Sequence, residues 1–321
     1  VAYYTELVLI LAALLDYGIG DPWDWWHPVQ GMGWLISGYT HLSFKVFKSA
    51  IALRLAGVGL GLGLVLGSGL AGWLIVAAAQ KIHPLAGLTT EIIVLASCFA
   101  GRSLRDAANE VLQPLQAGDL AQARSRLSRY VGRDTEHLSE AEVLRAVLET
   151  VTENATDGVM APLFYAIAGA MIPAIGSVPL ALGYKAASTL DSMVGYRELP
   201  YTHLGWFSAK LDDVLTWFPC RLLVWTLSII SGKPRHVWQI CQRDAPQDLS
   251  PNSGWSEAAY AAVLGVQVGG TNWYRGVAKQ KPLLGEANQQ IAPDHIFAAL
   301  HLTRQCLIIW IAIAVLTLWL R

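Results

Sequence analysis

Charge is scarce in this sequence. Asp, Glu, Lys and Arg make up 15% of its 321 residues, where an ordinary soluble domain carries about 25%. The deficit concentrates in a few long apolar runs, which excludes an ordinary soluble domain and points to an integral membrane protein. A hydrophobic content of 54% and a mean hydropathy of +0.39 agree. A net charge of -1 offers no basic surface for nucleic acid. Cysteine is sparse too. Cys98, Cys220, Cys241 and Cys306 are scattered and form no CxxC pair, so they define neither a disulfide framework nor a zinc site and read as small buried hydrophobes. No GxxxxGKS/T phosphate loop, GxGxxG fingerprint or HExxH helix is present, so nucleotide use must rest on other grounds. No basic stretch precedes the apolar first twenty residues and no small-residue cleavage site follows them. They are expected to be a retained membrane helix rather than a signal peptide.

What is present is apolar sequence of membrane length. Candidate spans are 1–20, 55–79, 85–101, 214–231 and 305–320, each near the ~20 residues a bilayer requires. Gly57, Gly59, Gly61, Gly63 and Gly67 in the second allow close helix packing. Residues 158–183 are broken by Pro173, Gly176 and Pro179, which fits a re-entrant hairpin better than a full crossing. Residues 102–156 are helical in pattern, with Asp119–Gln122 and Ser139–Glu142 as N-terminal capping pairs; residues 233–304 are polar, turn-rich and mixed. Each of these two segments carries seven Lys or Arg, which favours the cytoplasm for both. Thirteen Trp and eleven Tyr fit interfacial belts. The expected fold is all-α: one polytopic membrane domain over 1–321, with about four to six membrane-embedded helical segments and amphipathic cytoplasmic helices.

Against this apolar background stands a row of acids. Glu149, Glu153 and Asp157 are spaced four apart, which on a helix puts them on one broad face. Three like charges there call for a cation, and carboxylate oxygens suit Mg²⁺, which bridges to phosphate oxygens. A structural alternative stands beside this: Arg145 lies four before Glu149, and Asp157-Gly158 can simply end the helix. Asn154 donates and accepts beside the row. Asp191, with Ser192 and Lys185, is a second polar cluster in an apolar helix; of the adjacent Asp212 and Asp213 only one is expected to face a site. Arg133, after Gly132, suits bidentate phosphate or carboxylate contacts, or a turn with a local ion pair. Ser250 to Glu257 reads as a turn into a helix, whose N-terminus accepts anions or is merely capped. His27 sits in an aromatic loop with Trp23, Trp25 and Trp26.

Taken together, GDP…HPV…GWLI near the start, VGRDTEHLSEAEV (131–143), ETVTENATDGVMAPLFY (149–165), YKAASTLDSMVGY (184–196), FSAKLDDVLTWFPCRL (207–222) and SPNSGWSEAA (250–259) with GGTNWYRG (269–276) resemble adenosylcobinamide-phosphate synthase, the CobD/CbiB family of cobalamin-biosynthesis membrane proteins. Ser188, Thr216, Cys220 and Ser256 depart from its usual pattern. The resemblance implies ATP-dependent amide formation between adenosylcobyric acid and (R)-1-aminopropan-2-ol phosphate, by way of an acyl phosphate. Side-chain chemistry then assigns roles to the matching positions. Glu149, Glu153 and Asp157 would hold Mg²⁺. Asp191 or Asp212 would take the ammonium proton. Arg133, Lys185 and Arg221 would pair with phosphate, with Ser250 and Asn252 at the helix start. The Trp-rich loop (Trp23, Trp25, Trp26) would lie against the corrin ring, or its tryptophans form an interfacial belt, with His27 as a substrate-binding residue beside it. Expected partners are the corrinoid and amino-alcohol phosphate, the lipid bilayer, other membrane proteins of the pathway and a second copy of the chain. The expected location is a bacterial inner membrane, with the site facing the cytoplasm. Two rivals predict other behaviour: a Mg²⁺-dependent membrane transferase needs a lipid-linked substrate, and a non-catalytic corrinoid-binding or transport protein turns over no ATP.

Overall fold

The computed structural model of the chain describes residues 5–20 and 27–320. Helices carry 74% of it, so the chain is all-α apart from one small hairpin. Among the described residues, four stretches are long and apolar enough to cross a membrane: Ala50–Ile82, Pro84–Gln116, Trp206–Ile230 and Pro293–Trp319. They coincide with four of the five candidate spans. Within residues 1–20 the described helix is α1 (Thr5–Gly18), whose fourteen residues rise only about 21 Å and which is not among the four. The second stretch breaks over residues 97–100 into α4 (Pro84–Ala96) and α5 (Gly101–Gln116).

The chain forms two compact units, each assembled from separated segments. The first comprises Val1–Ala100, Ala161–Thr216 and Trp310–Arg321. It contains α1, α2 (Pro28–Val46), α3 (Ala50–Ile82), α4, α8 (Ala161–Ala170), α9 (Ser177–Val194), the start of α10 (Trp206–Ile230) and the end of α13 (Pro293–Trp319). Glycine lets its helices approach closely. A Cβ on Gly57 of α3 would collide with the Leu204 carbonyl oxygen, and one on Gly69 would lie 2.9 Å from that of Pro179. Gly63 and Gly67 face open space, so only part of the expected glycine set serves packing within the unit. The 158–183 segment is interrupted as its Pro and Gly residues require: α8 ends at Ala170, a turn follows, and α9 begins at Ser177.

The second unit comprises Gly101–Met160 and Trp217–Ile309: α5, α6 (Leu120–Leu127), α7 (Glu140–Asn154), the rest of α10, α11 (Pro234–Asp244), α12 (Ser253–Leu264), strands β1 (Gln267–Tyr274) and β2 (Val277–Gly285), and most of α13. Both predicted caps form. Asp119 accepts from the Gln122 amide at 2.8 Å. Ser139 and Glu142 make a reciprocal box, the Ser139 amide donating to Glu142 at 2.7 Å and the Glu142 amide to Ser139 Oγ at 3.3 Å; such caps contribute about 1 kcal/mol each. The antiparallel hairpin β1–β2 falls in the segment read only as turn-rich. All four cysteines are free and buried, as expected of small hydrophobes.

Candidate functional site

The acidic row begins on α7 and ends in an irregularity. After Asn154 the helix widens into a π turn, Ala155–Met160, a feature frequent at functional sites. A π turn underwinds the helix, so the step of four from Glu153 to Asp157 no longer keeps their side chains in strict line. The turn is pinned from α12: Thr156 donates to Ser256 Oγ at 2.9 Å, and Ser256 donates to the Thr152 carbonyl at 2.6 Å.

Glu149 faces the hairpin, not a metal. Its side chain is 1% exposed. One oxygen accepts from the Gly269 amide at 2.9 Å, and the other takes a short bond from Arg133. Arg145 stands 3.9 Å away and donates to the carbonyls of Gly269 and Thr271. Arg133 and Arg145 both donate to Asn272 Oδ1, at 2.9 and 3.2 Å. This geometry requires glycine. Gly269 and Gly270 have φ of +94° and +97° at a break in the β1–β2 register, and a Cβ on Gly269 would strike the Pro282 carbonyl oxygen. Such a bulge re-aims backbone groups, here an amide and a carbonyl at the Glu149–Arg145 pair. Burial pushes the Glu149 carboxyl up, but Arg133, Lys281 and Arg145 more than offset it and hold the group below its ordinary range.

A second layer of charge was not foreseen. Lys281 of β2 pairs with Glu257 of α12 at 2.9 Å, and Glu257 is fully buried. Burial pushes Glu257 up to about 8, reinforced by Glu153 and Glu149 and opposed by Lys281. Lys281 loses some basicity to burial, but Glu257, Glu149 and Glu153 outweigh that and hold it above its ordinary value. Glu153 is only part-exposed and is itself raised, first by burial and then by the nearby Asp248 and Glu149 charges. Lys281 therefore stays charged, and burial shifts both Glu153 and Glu257 toward their neutral forms.

The hairpin is fixed at both ends. At its tip, Asp134 accepts from the amides of Arg275 and Gly276 at 2.9 and 2.7 Å. Both turn residues have positive φ, 52° and 76°, as a two-residue hairpin turn demands. These bonds hold the Asp134 carboxyl below its usual range. At its base, Asp244 accepts from the Gly285 amide at 2.9 Å. The 131–143 segment thus divides its work: Asp134 caps a turn while Arg133 reaches Glu149.

The other predicted residues separate. In the second unit Asn154 is exposed and donates to the Thr150 carbonyl at 2.9 Å, a local bond with no part in the cluster. Ser250 Oγ accepts from the amides of Asn252 and Ser253 at 3.2 and 3.1 Å, and Asn252 Oδ1 accepts from Arg221 at 2.9 Å. In the first unit Lys185 and Asp191 lie on α9, each partly buried. Asp213 pairs with Lys210 at 3.1 Å, and Asp212 lies beside it on α10. His27 is a helix cap: its Nδ1 accepts from the Val29 amide at 3.2 Å, and Gln30 completes the box. Trp23, Trp25 and Trp26 lie outside the described residues. An apolar groove of about 460 Å³ between α2 and α3, lined by Trp34, Tyr39, Gly59 and Gly63 among others, contains none of the predicted site residues.

Among the described residues no group of three or more His, Cys, Asp or Glu is placed to hold a metal. The expected trio fails at Glu149, whose oxygens are taken by Arg133 and Gly269. Glu153 and Asp157 are the other two carboxylates of the row, both part-buried.

The family model described as CobD/Cbib protein matches residues 9–303. The chain is 53% identical over 299 residues to a "Cobalamin biosynthesis protein CobD" of Synechocystis sp., covering 92% of this chain and 87% of that one. It is 41% identical to the protein of the same name from Citrobacter koseri and 40% identical to the "Cobalamin biosynthesis protein CbiB" of Salmonella typhimurium, in each case over 96% of this chain and 94% of the relative. No solved structure matches.

Proposed function

The chain belongs to the CobD/CbiB family of cobalamin-biosynthesis proteins, and from that premise we propose that it joins the free propionate carboxylate of adenosylcobyric acid to the amine of (R)-1-aminopropan-2-ol phosphate, giving adenosylcobinamide phosphate. Amide formation from a carboxylate in water is unfavourable, so the carboxylate is first activated: it attacks the terminal phosphoryl group of ATP and ADP leaves. The neutral amine then attacks the acyl phosphate, and inorganic phosphate leaves with the amide bond formed.

The observation that best supports this reading is the charge balance around the π turn. Glu149 is consumed in fixing the hairpin, and Arg133 and Arg145 are consumed with it. Glu153 and Asp157 follow on the same run of chain. They would hold Mg²⁺, which when bound neutralises phosphate charge as the phosphoryl group transfers. Lys281 and Arg133 oppose, and Asp248 and Glu149 add to, the negative charge around Glu153. Asp191 or Asp212 is proposed to accept the ammonium proton, an assignment resting on side-chain chemistry alone. The test is Glu153→Gln combined with Asp157→Asn in protein that retains its wild-type melting temperature. Synthesis should fall by at least ~100-fold, the scale on which positioned charge acts in catalysis; unchanged turnover would sink the metal assignment.

A further inference from the structure

Charge inside membrane-length sequence is costly and marks a functional site by default. Arg221 lies well inside α10 (Trp206–Ile230), one of the four apolar stretches. Its guanidinium carbon is 5.0 Å from the ring centre of Trp217 and 4.6 Å from that of Trp255. The cation lies over both indole rings, and its Nη1 donates to Asn252 Oδ1 at 2.9 Å. Asn252 is 4% exposed and caps the N-terminus of α12. Its carbonyl accepts from Cys220 at 3.3 Å. Four residues therefore fix the plane and the tilt of one guanidinium.

No carboxylate pairs with it among the described residues. Arg133 has Glu149, Lys281 has Glu257 and Arg243 has Asp244; Arg221 has two indoles, one amide oxygen and the Cys220 thiol. The indoles lie against the group, and its N–H donors point outward in one plane at its edge, where a further ligand meets them. That fork matches two oxygens of a phosphate or carboxylate, and apolar walls strengthen such bonds by excluding water. The positive end of the α12 dipole lies on the Asn252 side and favours the same sign of ligand.

We propose that Arg221, walled by Trp217 and Trp255 and held by Asn252, is an oxyanion site that takes the phosphate monoester of the amine substrate. The identity of that substrate rests on the amide-forming reading; the oxyanion chemistry does not. A phosphate monoester is also carried by phosphatidic acid in the bilayer, and the test separates the two sources.

Full-length protein in detergent is titrated calorimetrically with aminopropanol phosphate, with inorganic phosphate and with unphosphorylated aminopropanol. The same protein is reconstituted in nanodiscs of phosphatidylcholine with or without phosphatidic acid. Wild type should bind the phospho-amine, and Arg221→Met should weaken it roughly 10- to 100-fold, the loss expected for charge-assisted bonds. Aminopropanol binding should not change. Arg221→Lys keeps the charge and the stem but not the fork; it should fold even if Arg221→Met does not, and should lie between the two. In turnover the variants should raise KM for the phospho-amine more than they lower kcat. Equal phospho-amine affinity in wild type and Arg221→Lys would overturn the proposal. So would Arg221 dependence confined to phosphatidic acid nanodiscs, which would make the ligand a lipid headgroup. Arg221-dependent phospho-amine binding without amide product would uphold the oxyanion site and refute the amide-forming reading. Product formation with an unchanged KM in Arg221→Lys would do the reverse.

Discussion

Glu149→Gln is the sharpest probe of the architecture. The substitution keeps the shape of the side chain and removes its charge, leaving Arg133 and Arg145, 7% and 13% exposed, beside a neutral amide. Breaking a buried pair in this way costs about 3–5 kcal/mol, because the remaining charge stays desolvated. Two arginines depend on this one carboxylate, so the upper half of that range is expected. For a unit of this size each kcal/mol shifts melting by about 2–4 °C, giving a fall on the order of 10 °C or more. Differential scanning fluorimetry in detergent reads the shift, and hydrogen exchange at Gly269 reads the loosened bulge directly. The pH dependence adds a signature. The folded Glu149 carboxyl is held below its ordinary 4.5, so its stabilisation is present above that value and is lost as pH falls through the folded value. The gap between wild type and variant should therefore narrow below about pH 4.5. Glu153→Gln, at a site that already favours the neutral form, should melt close to wild type. If Glu149→Gln melts within about 2 °C of wild type and the Gly269 amide stays protected, the buried network is not what fixes the hairpin.

Glu257 gives the opposite pH sign: its folded value of about 8 lies above the ordinary 4.5, so its contribution is present below 4.5 and is lost as pH rises through 8. Glu257→Gln should flatten the decline in melting temperature between those values. Asp134→Ala removes both acceptors from the hairpin tip and should speed tryptic cleavage after Arg275; an unchanged rate would show that the turn holds without its cap. Gly57→Ala should destabilise by about 1–3 kcal/mol through overpacking against the Leu204 carbonyl. Gly63→Ala, which meets nothing, should be neutral or slightly stabilising, and equal melting of the two variants would refute the packing account.

Local features were legible in the sequence and distant pairings were not. Apolar run length announced the long helices because hydropathy sums over neighbours. The Ser139–Glu142 and Asp119–Gln122 caps were legible because both partners sit within one turn. The hairpin was hidden because Gly269-Gly270 breaks the strand alternation and because Arg275, not Asn, opens the turn at positive φ; the Tyr274-Arg-Gly-Val277 run was the signal available. The role of Glu149 depends on Arg133 sixteen residues before it and Gly269 one hundred and twenty after it, a separation no periodicity encodes. Three acids at steps of four implied a shared cation, and the first of them had already found two arginines. The π turn left no mark in composition, since its stability comes from the Thr156–Ser256 bond across to α12.

The central claim is the amide-forming reaction, and direct synthesis tests it. Purified protein in detergent is incubated with adenosylcobyric acid, aminopropanol phosphate and Mg²⁺, with and without ATP, and the products are read by mass spectrometry. A mass gain matching adenosylcobinamide phosphate, formed only when ATP is present, is the predicted result. Corrinoid binding with no amide under either condition would contradict it and make the chain a binding or transport protein.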